Sequence, residues 1–507
     1  MFIRKNKNRK GGVSIQLIQK GYGKYKLIKT IGTGNSLQEI EFLLQKAKQE
    51  LYRLSGTQSL FANKDDAMIE SFIKSLRNAQ IQVIGPELMF GKIYDSMGFG
   101  AIENDLFRHL VITRLFHPGS KLKTIDYLYR FQGVHKNSDE IYRFLDKLNS
   151  ELKETVEQIA FAHTRKILNE NISMVFYDMT TLHFEAADED DLRKTGFSKA
   201  GKHQHPQIYL GLLVGLEGFP IGYDIYAGNI FEGHTLIPFL QKMEARFKLN
   251  KPVVVADAGL LTQQNIEQLQ QQGYRYILGA RIKNESTAIK QKIIAQCWSD
   301  GQYLSIKKNP PGKLIVAYSD KRAANDEHNR LRGLRRLERI LKAGKLTKTH
   351  INNKGYNKYL RLTGDIKIEI DYEKFNQDKQ WDGLKGYITN ADISPKQIIA
   401  NYNQLWQIEK AFRISKTDLQ IRPIYHRLRN RIEAHICIAF TAYGIYKELE
   451  RVLKKEKSGL SLKRAANLTH NIYQINVVLP ESKHHKSILL QMDEEQSHLY
   501  QVILKNY

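Results

Sequence analysis

The hydrophobic pattern changes character along the chain. Residues 13–31 alternate apolar and polar in part and are interrupted by Gly21 and Gly23, which predicts a small hairpin. Ser36 then stands where a helix cap is wanted. The helix is predicted to run to about Leu54, with Ile40, Leu43, Leu44 and Ala47 on one face. Residues 65–170 read mainly as helices, among them 106–116, stopped by Pro118, and 140–148. A basic, mostly helical N-terminal region suits a DNA-binding module, and equally a plain helical bundle; no recognition helix stands out.

Near Ile172 the rhythm shifts to short apolar runs. Residues 174–177 (Met-Val-Phe-Tyr) predict a buried strand ending at Asp178. A polar loop over 185–205 follows, acidic at its start and basic at its end. Strands are predicted at 208–214 and 221–226, joined by a turn at Gly215-Leu216-Glu217-Gly218. Then come a helix over 235–247, a buried strand over 252–256 ending at Asp257, a glutamine-rich helix to about Gln272 and a strand over 274–278. An antiparallel meander leading into helix-linked strands predicts an α/β fold, a mixed sheet flanked by helices. This is the order of a ribonuclease H-like fold. The pattern breaks from Trp298 to Asp371, where strand-like segments at 314–318 and 366–370 flank a stretch, 321–361, with 13 Lys or Arg and 3 Asp or Glu. We read 298–380 as a basic, β-rich insertion. The sheet pattern resumes at Gly386-Tyr387-Ile388-Thr389. The expected organisation is therefore 1–170 N-terminal, 171–297 first core part, 298–380 insertion, 381–450 second core part with a long helix, and 451–507 C-terminal and helical.

Composition narrows the partner. The 507 residues are 42% hydrophobic, enough for a sizeable core, and carry a formal charge of +25. Such an excess points to a polyanion, nucleic acid first, with a solvated basic surface as the plain alternative. No apolar run reaches membrane-spanning length and no signal-peptide pattern opens the chain, so a soluble, intracellular protein is expected. Two distant cysteines, Cys297 and Cys437, make neither a zinc pattern nor a disulfide framework.

Asp178 and Asp257 share a setting: each is predicted to close a buried strand of a helix-covered sheet, beside the usual ligand crevice. Two carboxylates there would repel, and a hard divalent cation, magnesium or manganese, is the simplest relief. Each alone reads as well as a loop-opening Asp. Ser394-Pro395-Lys396-Gln397 is a helix start with capping box and Pro at the first position. Along that helix Ile398, Tyr402, Leu405, Glu409, Phe412, Arg413 and Lys416 recur at helical spacing, placing charges on a stripe with apolar neighbours. Glu409 and Arg413 could otherwise be an exposed i,i+4 ion pair. His203 and His205 lie in a basic loop with no third soft ligand near, so they are not read as metal ligands.

These residues resemble the DDE transposases of bacterial insertion sequences, in the insertion-sequence-four group. Its signature is Tyr, two residues, Arg, three residues, Glu, six residues, Lys. Here Tyr402, Glu409 and Lys416 stand at that spacing, with Leu405 where the signature has Arg. The segment 406–413 (Trp-Gln-Ile-Glu-Lys-Ala-Phe-Arg), Arg422-Pro423-Ile424-Tyr425-His426, Tyr177-Asp178-Met179-Thr180-Thr181 and Ala256-Asp257-Ala258-Gly259 extend the resemblance over roughly residues 100–445. It implies catalytic and metal-binding Asp178, Asp257 and Glu409, two magnesium or manganese ions in the DNA-bound complex, and DNA contacts from Tyr402, Lys416 and, in place of the missing arginine, Arg413. It also implies hydrolysis at element ends, then strand transfer into target DNA. The partners implied are inverted element ends and target DNA, with a homodimer at synapsis, in the bacterial cytoplasm at the nucleoid. A related nuclease without strand transfer would keep the same three carboxylates; a transposase-derived DNA-binding protein with dead catalysis is the other alternative, and the presence of all three carboxylates counts against it.

Overall fold

The structure, a computed structural model, describes residues 1–8, 11–21, 23–55, 64–198, 201–260, 262–308, 312–347, 350–352, 355–363, 367–479 and 482–507. Ile366, expected to open a strand, Lys348 and Lys354 of the basic stretch, and residues 199–200 of the polar loop lie outside them. The chain divides into two compact units, residues 1–80 with 477–486, and residues 81–476 with 487–507.

In the first unit, β1 (Phe2–Lys7), β2 (Val13–Gly21) and β3 (Lys24–Gly34) form an antiparallel sheet, so the expected hairpin is present with one further strand. Helix α1 (Leu37–Ser55) packs Ile40, Leu43, Leu44 and Ala47 against Ile15 and Leu17. Its first turn is closed by Ser36 Oγ, which accepts from the Glu39 amide at 3.2 Å.

Ahead of its large sheet the second unit carries helices α2 (Asp105–Phe116), α3 (Lys121–Tyr127), α4 (Ser138–Lys147) and α5 (Lys153–Ile167). Asn104 caps α2 through the amides of Leu106 and Phe107. These helices share one hydrophobic core with the sheet that follows. That sheet contains β4 (Met174–His183), β5 (Gln207–Val214), β6 (Pro220–Ala227), β7 (Val253–Ala256) and β8 (Tyr276–Ala280), with α6 (Leu236–Phe247) and α7 (Gln263–Gln271) between strands. β4, β5 and β6 form the antiparallel meander, and β7 and β8 join parallel to β4. This is the ribonuclease H-like arrangement.

Two strands from the stretch expected as an insertion, β9 (Tyr303–Lys308) and β10 (Gly312–Tyr318), extend this same sheet. The chain then leaves it for α8 (Asp320–Lys342) and a small hairpin, β11 (Leu360–Thr363) with β12 (Lys367–Ile370), and returns as β13 (Leu384–Thr389). The full order is β9-β10-β13-β8-β7-β4-β5-β6. The excursion begins and ends at one place: the Ser319 amide donates to the Gly383 carbonyl at 3.1 Å, beside the register pair Tyr318–Leu384. The basic stretch thus consists largely of a helix, which has its own small core of Leu337, Tyr359, Leu360, Ile370 and Phe375.

Strand alternation sorts the sheet's two faces. Val175, Tyr177, Val254, Ala256 and Leu278 meet α6 and α7. Phe176, Val255, Ile277, Ile315 and Tyr387 face the other way, toward α9 (Pro395–Asn403), α10 (Trp406–Arg413) and α11 (Arg429–Lys455). α11 is buried along most of its length, and its charged side chains are answered locally. Arg451 and Tyr507 donate to Glu448 at 2.6–2.9 Å, and Lys447 donates to Glu450 at 2.6 Å. No helix among the described residues is long and apolar enough to cross a membrane.

Burial pushes the Glu448 carboxyl up, but the hydrogen bonds from Arg451 and Tyr507, with His163 3.4 Å away, outweigh it and leave it at about 2. The unfolded chain would titrate near 4.5, so this stabilisation is complete above that value and is lost as pH falls toward 2. Denaturant titrations at pH 7 and pH 3 are expected to show the wild type losing about 2 kcal/mol more than Glu448→Gln, whose stability is lower at pH 7 but flatter with pH.

Candidate active site

The parallel register of β4 and β7 runs from Met174–Val253 to Tyr177–Ala256. Asp178 and Asp257 are therefore the next residues on the two neighbouring strands. By alternation both lie on the face of Phe176 and Val255, under α9–α11. β7 stops there. Residues Ala258–Leu260 turn away, and Asn265 Nδ2 pins that turn by donating to the carbonyls of Leu260 (2.8 Å) and Gly233 (2.7 Å). β4 does not stop. It continues to His183 with Asp178 opposite Leu212 of β5, so the expected strand end at Asp178 is corrected. The cause is β5, which goes on satisfying the backbone of β4 after β7 has left.

The Glu-bearing helix is also not one straight rod. Ser394 and Gln397 make the expected capping box with Pro395 at the start of α9. After Asn403 the backbone tightens, with Leu405 donating to Tyr402 and Ile408 to Leu405. α10 follows, and then a widened turn, Ile414–Asp418, closed by Leu419 donating to Ile414 at 3.0 Å. The tight and wide turns lie on either side of Glu409, so a straight-helix stripe only approximates the geometry.

Tyr402 is 2% exposed and its hydroxyl donates to Asp257 Oδ1 at 3.0 Å. Its ring meets Tyr387 edge-on at 4.8 Å and carries Lys385 Nζ 4.4 Å above its centre. The tyrosine thus supports Asp257 from inside the protein rather than lying open to a ligand. Burial, and then the Asp257 charge, push its hydroxyl well above the ordinary range. Lys385 is pulled down by burial and by Arg322 of α8, and held up by Asp257 and Glu409. Both carboxylates are therefore close enough to act on the same ammonium. Glu409 is exposed, contrary to what its apolar neighbours suggested, and makes no ion pair with Arg413 among the described residues. Arg413 is exposed as well. Lys416 donates to Thr180, two residues beyond Asp178 on the same face, and lies 5.8 Å from the Phe412 ring centre. Leu405, at the signature's arginine position, is 8% exposed and part of the core.

Asp178 is half-buried and Asp257 exposed. Among the described residues, no three His, Cys, Asp or Glu side chains stand close enough to hold one metal ion. The donor set still has the chemistry of a hard divalent site: carboxylate oxygens from two adjacent strands and from a covering helix, open to solvent on one side. His203 receives the Ser198 amide on Nδ1 at 3.1 Å, which is a loop bond.

Lys385 and Gly279 were not singled out from the sequence, and Thr180 entered only as part of the segment Tyr177-Asp178-Met179-Thr180-Thr181, with no role of its own. A lysine inside the apolar run 384–389 was the available signal for the first. Gly279 is required by close approach: a Cβ there would lie 2.5 Å from Tyr402 Oη and 3.0 Å from the Ala258 amide.

The family described as Transposase DDE domain matches residues 172–445. No curated protein matches the chain. Among solved structures, the chain is similar to a piggyBac transposase in a cryo-EM synaptic complex with hairpin DNA, at 11% identity over 76% of each chain, with a TM-score of 0.38.

Gly279→Ala is expected to cost about 1–3 kcal/mol of stability, because the Tyr402 hydroxyl must give way. Tyr402→Phe alone should cost about 1 kcal/mol for the lost bond to Asp257. The double variant should lose less than the sum, since removing the hydroxyl removes the clash. Chemical denaturation of the four proteins checks this, and strict additivity would mean that the two side chains do not meet.

Proposed function

The chain belongs to the transposase DDE domain family, and on that premise we propose that it is a DNA transposase of the insertion-sequence-four kind, cutting at its element's ends and joining them to target DNA. The observation that carries this reading is the side-by-side placement of Asp178 and Asp257 at the parting of two parallel strands, under the helix that bears Glu409. These three carboxylates would hold magnesium or manganese, with two ions in the DNA-bound complex. When bound, the metal supplies activation of the attacking oxygen and stabilisation of the leaving oxygen in an in-line displacement at phosphorus.

The chain's own residues then have separable tasks. Tyr402 fixes the direction of Asp257 by the bond to Oδ1. Lys385 places a positive charge within the field of both Asp257 and Glu409, offsetting part of their repulsion. Lys416 and Arg413, one beside Asp178's strand and one exposed on α10, are placed to attract the phosphates that flank the reacting bond. Leu405 offers no such contact. On the excursion between β10 and β13, Arg335, Arg336, Arg339 and Lys342 are exposed on α8 without ion pairs among the described residues, whereas Arg330 is committed to Asp382 at 2.7 Å. The first four are the proposed DNA-gripping face. Joining two ends calls for two copies of the chain in the active complex.

Asp178→Asn, Asp257→Asn and Glu409→Gln are each expected to abolish cleavage of a duplex carrying the element end while leaving its binding intact. Normal cutting by Asp257→Asn would refute the assignment. With pre-cleaved ends the wild type should join strands; hydrolysis without joining would make it a nuclease. Neutralising Arg335 or Arg336 should flatten the log–log salt dependence of binding by about one unit for each phosphate ion pair removed, whereas Arg330→Gln should act on stability instead.

A further inference from the structure

A second concentration of positive charge lies away from the carboxylates. A cavity of about 370 Å³ is lined by Arg114 at the end of α2, the Gly119–Lys123 segment that starts α3, residues Gln420, Arg422, Pro423, Tyr425 and His426 beyond the widened turn, and His435 of α11. Among the described residues, no Asp or Glu lines it. Lys121 is only 5% exposed and, among the described residues, forms neither an ion pair nor a hydrogen bond. Arg422 has no such partner among them either. Arg114, 4% exposed, uses its guanidinium on the carbonyls of Leu419 (2.9 Å), Gln420 (3.2 Å) and Gly119 (3.3 Å), and so ties the cavity's two walls together. His435 Nε2 donates to the Ile421 carbonyl at 3.0 Å, while its Nδ1 is buried without a partner among the described residues.

A lysine ammonium buried in a cavity with no carboxylate among the described lining residues is costly unless something negative arrives. Burial and the nearby Arg114 pull Lys121 well below its ordinary range, and burial brings His426 to about 3. The cavity therefore has the chemistry of an anion site whose cost is met by its ligand. Its walls come from both sides of the sheet in sequence: α2 and α3 precede the segment 172–445, and the rest lies inside it.

We propose that this cavity receives a phosphate group of the DNA strand that runs to the carboxylate site; the choice of DNA rests on the function proposed above. The geometry links the two places. The Ile424 amide donates to the His183 carbonyl, the last residue of β4, at 3.2 Å. Asp178 is five residues back on the same strand, roughly 17 Å at about 3.3 Å per residue. Lys121 and Arg422 would thus hold a phosphate of the strand beside the segment that joins the end of β4. Exposed Tyr425 and Lys123 stand at the rim.

The test uses the full chain, Lys121→Met and Arg422→Gln. Inorganic phosphate, against chloride at equal ionic strength, should raise the melting temperature of the wild type and not that of Lys121→Met. A duplex of the DNA flanking the gene is then scanned with single neutral methylphosphonates. At one position the substitution should weaken wild-type binding about ten-fold or more, and it should leave Lys121→Met and Arg422→Gln much less affected. A wild type that binds the duplex but shows no position distinguished by the variants would overturn the proposal and leave the transposase reading standing. A melting shift with a flat scan would assign the cavity to a free anion and also overturn it. A wild type that neither binds nor cuts the duplex would remove the transposase reading, and this proposal with it.

Discussion

The parallel pairing of β4 with β7 governs the candidate site. It brings Asp178 and Asp257 to the positions just beyond its last register pair, Tyr177–Ala256, whose backbones the sheet spacing holds about 4.8 Å apart. The pairing persists because the residues before them, Val175–Tyr177 and Val254–Ala256, are fully buried, where an unpaired backbone group would be costly. At the aspartates β7 turns off, and the carboxylates gain access to solvent. The apolar strands thus position a pair of like charges that would not approach each other unaided.

The surrounding residues moderate that charge without cancelling it. Tyr402 gives one hydrogen bond to Asp257 from a fully packed ring. Lys385 lies against that ring and within the field of both Asp257 and Glu409. Close packing at Gly279 fixes where the tyrosine can sit. Among the described residues, a positively charged ligand can displace solvent here without first breaking an ion pair to Asp257 or Glu409.

Much of this was legible in the sequence because it is local. The buried runs at 174–177 and 253–256, the capping box at Ser394 and the helix start at Ser36 depend on side chains within a few residues of one another. The end of β4 was misplaced because strand length is decided by a partner: β5 pairs as far as His183, and nothing near Asp178 announces that. The division of the Glu-bearing helix at Gln404 and Leu405 has no glycine or proline to mark it. Likewise β9 and β10 read as part of an insertion, since only pairing with β13 makes them members of the sheet. Lys385 gains its meaning from Tyr402, a neighbour in space alone.

The meeting of Ser319 and Gly383 bears on how such a chain can change over time. To the sheet, everything between those residues is a hairpin tip, since β10 and β13 would pair in the same register if a short turn joined them. Closing a longer loop there costs only about 0.6 kcal/mol for each doubling of its length. The excursion also keeps its own small core, so its folding does not draw on the sheet's. It is therefore an exchangeable cassette, free to be enlarged, trimmed or replaced while the two aspartates and the sheet that carries them stay in place.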